Sequence, residues 1–450
     1  MLKHTILICQ ILLFLFCSGC TVTVKESETT PHTSEYLRIT SLTVAGVGLH
    51  LADGVESDQA LIQSFEKSSG IRVSVHRFAS LSSETEYLDY LSLLDRSSSL
   101  PDLLIFPSLP ALVQKNILLD LEKYLADDSE YQKIPIPLRK AVSYGMGVPA
   151  VPLRYYLEGY FVREDAFLKE NISPPTYGGS FARFFSSIQA LAKKEKGSPP
   201  LRQFYEIPFW YPAIQQKDAT VWGGYDGNRF FLSHPHFKNG VSYAAQLRES
   251  CFPDVKAAVS WTETPASLRK SWRSKTLSVY YGSTRELAEL AEGGASFSFS
   301  GIPGGPALID ADYIGITESC ADKEEAFRLL KWLSYDKEGI RMRYQTDDDF
   351  SQGSLPLNSD SKLVKRFLDA NPYDGVKEAV DQIETAIVKG EDYIPTYTTY
   401  MDILTYSIPE ITDREQTVRE WIIAAVDGEY SYYQYADQLN ELVNWKEETT

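Results

Sequence analysis

The chain is poor in the residues on which most enzymes and metal proteins depend. It has six histidines and five cysteines in 450 residues. It has no GxSxG elbow, HExxH pair or GxxxxGK[ST] loop, so serine-hydrolase, zincin and nucleotide-cleaving chemistry have no signature here. His234-Pro-His236 is the single histidine cluster. A metal there would need further ligands that the sequence does not supply, so it is read as a polar loop and no metal or cofactor is expected. Asp347-Asp348-Asp349 with Gly353 lacks the spacing and glutamate of an EF-hand, which excludes that calcium site. Basic residues are outnumbered by acidic ones, 44 to 61, for a net charge of -17. That balance argues against nucleic acid and against a polybasic grip on membranes, and is read as a solubility device. There is no internal repeat.

What is present begins with a targeting segment. Lys3 precedes the apolar run from Ile6 to Phe16, which is too short for an ordinary membrane span, and no later stretch could cross a bilayer. The run ends in Cys17-Ser18-Gly19-Cys20, small residues followed by cysteine, which resembles a bacterial lipoprotein processing site with Cys20 as the lipid-bearing first mature residue. Residues 1–19 are thus read as signal peptide and 20–35 as a polar tether. Of the five cysteines only Cys251 and Cys320 remain in the body, so a disulfide framework is not expected. One bond between them stays open, with two small apolar thiols as the favoured reading.

The body alternates strands and helices. Leu37 to Leu49 reads as a strand, Asp58 as the cap of a helix carrying Leu61, Ile62 and Phe65, and Gly70 as its stop. Ile71, Val73 and Val75 alternate with polar residues as a second strand, which makes a βαβ unit and a parallel pair. Leu100 to Phe106 is a buried strand, followed by a helix from Pro110 and the segment Ile117–Leu125. Arg154 to Val162 is aromatic and extended. Pro174-Pro175-Thr176-Tyr177 leads into a helix with Phe181, Phe184, Phe185, Ile188, Leu191 and Ala192 on its apolar side. Glu415 to Leu442 reads as two helices broken at Asp427-Gly428.

The densest stretch is Gly301 to Ser334. Pro303 to Pro306 form a turn, Tyr313 to Thr317 a short buried strand, and Asp322 with Glu325 a variant capping box. Ala326, Leu329, Leu330 and Leu333 fall on one helical face. This turn, strand and capped helix resemble the late signature of the family 1 extracellular solute-binding proteins, the sugar-type, maltose-binding-protein-like receptors of ABC importers. Phe65-Glu-Lys-Ser-Ser-Gly-Ile-Arg-Val73 resembles that family's opening signature, and the other segments follow in the family's order over most of residues 35–445.

The resemblance implies an α/β, two-lobed periplasmic-binding-protein fold of type II with a hinge between lobes. Residues 36–148 plus 300–345 would form the first lobe and 149–299 plus 346–450 the second. It implies a binding protein rather than an enzyme: a monomer, lipid-anchored outside the cytoplasm, that captures a small solute such as a sugar and hands it to a membrane permease and ATPase. Twenty-eight tyrosines and seven tryptophans exceed ordinary core needs. Rings that stack on sugar faces are therefore sought at loop positions. Phe209, Trp210 and Tyr211 in a proline-flanked run, Trp222 before two glycines, Tyr281 before Gly282, Tyr313 and Tyr400 match the family's ligand-facing aromatics, with Ser108 and Arg154 as rim contacts. The tryptophan usual after that glycine turn is replaced by Ser283 and Thr284. Two other readings stay open. One is a surface adhesin or scaffold on a retired receptor fold. The other is a divergent glycosidase, which would need two carboxylates across a sugar site.

Overall fold

The computed structural model describes residues 41–46, 56–77, 91–97, 99–106, 112–113, 115–143, 147–195, 199–217, 223–225, 229–252, 264–292, 294, 296–345, 353–389, 401–402 and 404–447. The readings at Cys20 and the tether, at Ser108, at Trp222, at Asp347–Asp349 and at Tyr400 fall outside them.

Strand β1 (Ser41–Gly46), helix Glu56–Ser69 and β2 (Arg72–Arg77) form the expected parallel unit. The helix begins before Asp58, which lies in its first turn rather than capping it. Gly70 ends it at φ +75°, the left-handed geometry glycine adopts most easily. β3 (Leu103–Phe106) lies parallel to β1 on its other side, and all four of its residues are buried. Four more elements complete an eight-stranded mixed sheet: the twelve-residue β4 (Val151–Val162), β5 (Val279–Ser283), β6 (Ser298–Gly301) and β7 (Leu308–Ile316), with the short β8 (Ile387–Val388) at β7. The main order is β2-β1-β3-β7-β4-β5, with β6 also on β4. A separate hairpin joins β9 (Thr405–Ile408) to β10 (Thr412–Thr417).

Two buried clusters divide the body. Helix Lys323–Ser334 buries Ala326, Leu329, Leu330 and Leu333 in the first, as its spacing predicts. Its capping differs: the Asp322 side chain makes no cap hydrogen bond, and Glu325 pairs with Arg328 at 2.6 Å. Helix Phe181–Lys194 buries Phe184, Ile188 and Leu191 in the second cluster. The first cluster also takes Leu268, Trp272, Phe297, Phe367 and Val376, which the sequence reading groups with the second lobe. These side chains pack with residues of β1, β3, β4 and β7 in one cluster, although the chain reaches them only after β4.

Three local differences have clear causes. His234-Pro-His236 is not a loop: Pro235 opens helix Pro235–Cys251 and His234 Nδ1 accepts the His236 N–H at 3.2 Å, since proline suits a first helical turn. The aromatic run at 209–211 is likewise helical, within Ile207–Gln216, with Pro208 in the first turn. The first tail helix starts only at Val418, because Glu415–Thr417 belong to β10, and Thr417 with Glu420 makes a true capping box. Cys251 and Cys320 are both free thiols, Cys251 half-buried and Cys320 buried, and burial pushes each up to about 12.

Candidate functional site

β4 runs between the two clusters, and its two faces differ. Alternate residues of a strand point to opposite faces. Leu153, Tyr155, Leu157 and Phe161 go into the first cluster. On the other face Tyr160 and Val162 belong to the second cluster, while Arg154, Tyr156 and Glu158 continue that line as a buried polar stretch. The neighbours keep the same parity. On β7, Asp312 pairs with Arg154, Asp310 with Tyr156 and Leu308 with Glu158. On β5, Ser283 pairs with Glu158 and Tyr281 with Tyr160. The result is a polar and aromatic patch on strands that both clusters share.

Glycines permit the close crossing beneath it. A Cβ at Gly159 would lie 2.6 Å from the Gly301 backbone, so β4 could not carry a side chain there without moving away from β6.

The corner after β5 aims one side chain at this patch. Ser283, Thr284, Arg285 and Glu286 turn tightly, with Glu286 reaching back to the Ser283 N–H at 3.3 Å. Thr284 is fully buried, accepts the Leu157 N–H at 3.1 Å and donates to the Gly353 carbonyl at 2.7 Å. Glu286 accepts from Tyr280 at 2.6 Å and from Arg269 at 2.9 Å. With its neighbours fixed, Arg285 projects its guanidinium over the Tyr156 ring, 4.1 Å from the centroid, a cation–π arrangement. Its Nη2 donates to both Asp312 oxygens at 3.2 Å and lies 3.6 Å from Asp310. Burial alone would lower the Arg285 pKa, but Asp312, Tyr156 and Asp310 outweigh it and hold the charge more firmly than usual. Arg285 and Asp310 each keep about a third of their side-chain surface exposed, at 31% and 33%, against 13% for Asp312. The patch is therefore buried at its floor and open at one end.

At the other end Tyr281 donates its hydroxyl to Glu158, and Lys389 Nζ lies 3.4 Å from the same carboxylate. Burial first, then Glu158 and Glu206, push the Tyr281 hydroxyl far above its ordinary range, so it remains a neutral donor. Gln203 fixes the Tyr281 backbone, accepting its N–H at 2.8 Å and donating to its carbonyl at 2.6 Å. Among the described residues, no group of three or more His, Cys, Asp or Glu could hold a metal ion.

The sequence candidates separate on this map. Arg154 and Tyr281 lie on the patch. Trp210 is not at a loop: it is fully buried in the second cluster, donates to the Tyr160 hydroxyl at 3.3 Å and packs edge-on to Phe181. Tyr211 packs against Phe181 and Tyr243, and Phe209 lies under the Arg419 guanidinium at 4.7 Å. All three are buried, each on its own side of the helix: Trp210 against Tyr160, Tyr211 against Phe181 and Tyr243, and Phe209 against Phe237. Tyr313 faces away from the patch into the first cluster, stacked on Phe106 with centroids 6.2 Å apart. Tyr156, Glu158, Arg285, Asp310, Asp312 and Lys389 were not singled out in the sequence. The signal for five of them is legible afterwards: charged residues or a tyrosine at every second place in Arg154-Tyr-Tyr-Leu-Glu158 and Asp310-Ala-Asp312, inside otherwise apolar strands, and an arginine two residues beyond a strand end.

Among known proteins, the sequence profile of the bacterial extracellular solute-binding protein family matches residues 60–373. No curated protein matches the chain in sequence. Solved structures do match in fold. The sugar-binding protein MalE of Xanthomonas citri superposes with a TM-score of 0.68 at 16% identity, over 91% of this chain and 98% of its own. An ABC substrate-binding protein of Listeria monocytogenes in complex with cycloalternan gives 0.65 at 13%, over 90% and 98%. The cyclic α-maltosyl-1,6-maltose binding protein of Arthrobacter globiformis gives 0.65 at 14%, over 91% and 100%. This likeness identifies the architecture as the mixed α/β, two-domain fold of periplasmic solute-binding proteins.

Proposed function

The chain belongs to the bacterial extracellular solute-binding protein family, and from that premise we propose that it is an extracytoplasmic receptor for a carbohydrate, which it passes to an ABC permease and its ATPase. The observation that carries this reading is the polar face on β4, β5 and β7. It lies on strands shared by both clusters, and it combines fixed donors and acceptors with an end open at Arg285 and Asp310, as hydroxyl-rich ligands require. Neighbouring structures described as sugar-binding or sugar-bound support the solute class. Closure would follow because a ligand touching both lobes favours the closed state by its differential affinity. The receptor acts by binding, without turnover, as a monomer tethered through lipid on Cys20 and the polar segment after it. Among the described residues no helix is long and apolar enough to cross a membrane, which suits a lipid tether.

The test is a thermal-shift panel of neutral and charged oligosaccharides on the full chain in a sugar-free detergent. A ligand that binds only the folded form raises its melting temperature by mass action. A shift with at least one sugar is expected, and silence across the panel would count against the carbohydrate assignment. Cys20→Ser should move the protein into the soluble fraction and abolish labelling by a fatty-acid probe; unchanged membrane retention would remove the lipoprotein reading. A second reading, a scaffold on the same fold, is favoured by the complete burial of Trp210 within its own cluster, and the silent panel is its expected result.

A further inference from the structure

The charges on the polar face are arranged in a way that bears on which sugars the site admits, granted the carbohydrate reading above. Among the described residues the face carries Arg154, Arg285 and Lys389 against Glu158, Asp310 and Asp312, with Glu206 exposed at the Tyr281 end. The carboxylates are in slight excess. Arg285, the most exposed ion-paired cation of the group, has Asp312 at 3.2 Å through both oxygens, Asp310 at 3.6 Å and the Tyr156 ring below it. Strong recognition of an anionic sugar needs a guanidinium edge presented to the incoming carboxylate. Here a uronate carboxylate would have to displace Asp312 or lie beside two carboxylates in a half-buried setting where like charges repel strongly. A neutral sugar meets no such obstacle. Its hydroxyls donate to Asp310 and Asp312 and accept from guanidinium N–H groups without separating any ion pair.

We infer that Asp310 and Asp312, by holding Arg285, set the charge class of the solute: neutral sugars are admitted and uronates are excluded. The pair acts as an electrostatic filter whose repulsive half supplies the selectivity. Neutralising it should expose Arg285 to ligand and relax the exclusion.

The experiment is calorimetric titration of the full chain, in a sugar-free detergent, with maltotriose, mannotriose, xylotriose and trigalacturonate. The wild type should bind at least one neutral trisaccharide, and bind trigalacturonate more weakly by about a hundredfold or more. In Asp310→Asn/Asp312→Asn the gap should narrow by about tenfold, and the gained affinity should fall as salt rises, because it rests on a newly available charge. Should the double variant fail to fold, Asp310→Asn alone, at the more exposed carboxylate, should narrow the gap in the same direction by a smaller factor. Trigalacturonate bound by the wild type as tightly as the best neutral sugar overturns the filter and leaves the carbohydrate reading standing. A gap unchanged in a folded variant also overturns it. Failure of all four sugars to bind the wild type removes both readings together.

Discussion

The two faces of β4 are made by one dodecapeptide, yet they are built on different principles. Leu153, Tyr155, Leu157 and Phe161 lie in the first cluster and are held by packing. Arg154, Tyr156 and Glu158, equally hidden from solvent, are held by partners: the Asp312 neighbour strand, the Arg285 guanidinium, the Tyr281 hydroxyl and Lys389. Burying charge is costly unless it is paired and hydrogen-bonded. On the reading proposed above, the three carboxylates and three cations beside the second cluster serve the ligand rather than stability.

The comparison is broken most severely at the apolar side. Leu157→Ala removes a fully buried side chain from the first cluster and should cost about 2–5 kcal/mol, with sugar affinity per folded molecule unchanged. Trp210→Ala should cost about 3–5 kcal/mol, because the ring lies wholly within the second cluster and also loses its bond to Tyr160. The sequence reading of Trp210 as a ligand-facing ring implies the opposite, a loss of affinity with little loss of stability. Chemical denaturation of each variant beside a titration decides between the two.

The polar side should respond less in stability. Glu158→Ala takes the acceptor from the buried Tyr281 hydroxyl and the carboxylate from Lys389, at a cost of about 1–3 kcal/mol, and Glu158→Gln should restore most of it by offering the amide oxygen. Arg285→Gln should reverse the ordering seen with Leu157. The side chain is about a third exposed, so the melting temperature should change little, while affinity for the bound sugar should fall by about tenfold, equivalent to about 1.4 kcal/mol. A large thermal loss in Arg285→Gln with unchanged affinity would mean that the polar face is structural.

These differences also explain what could be read from the chain. The parallel unit at residues 41–77, the turn at Pro303–Gly304 and the apolar face of helix Lys323–Ser334 were legible because each follows from local periodicity and from glycine or proline geometry. The candidate site was legible only at Arg154 and Tyr281, for two reasons. Proline was taken as loop punctuation at 208–212, whereas Pro208 opens a helix that carries its aromatics inward. The polar patch is assembled by strand register between segments about 150 residues apart, Arg154–Glu158 with Asp310–Asp312, and register across such a separation leaves no local pattern. The alternation within each strand was visible, but it reads as a surface strand until the buried neighbour is known.

The smallest expected effect lies away from the patch and tests whether buried polar groups elsewhere serve stability alone. Asp128 accepts from Lys331 at 3.0 Å, from the Glu130 N–H at 2.9 Å and from the Tyr335 hydroxyl at 3.0 Å, tying its turn to helix Lys323–Ser334. Burial by itself would raise its pKa, but these bonds and the Lys331 charge together hold it below the ordinary carboxylate range. A carboxyl whose folded pKa is depressed contributes stability that is fully present above its unfolded pKa and is lost as pH falls through the folded value. The contribution should thus be constant from neutral pH down to the ordinary aspartate range and disappear below it. Asp128→Asn should lower the melting temperature modestly at neutral pH, and the difference from wild type should shrink as the pH drops past that window. Sugar affinity should be the same in both proteins at every pH where both are folded, because the partners described for Asp128, Glu130, Lys331 and Tyr335, lie on no strand of the polar face. A pH-independent difference in melting temperature would show that the Asp128 bonds act through geometry rather than charge. A change in affinity would show that the first cluster's periphery and the patch are coupled, and that the separation of roles between the two faces of β4 does not extend to the rest of the molecule.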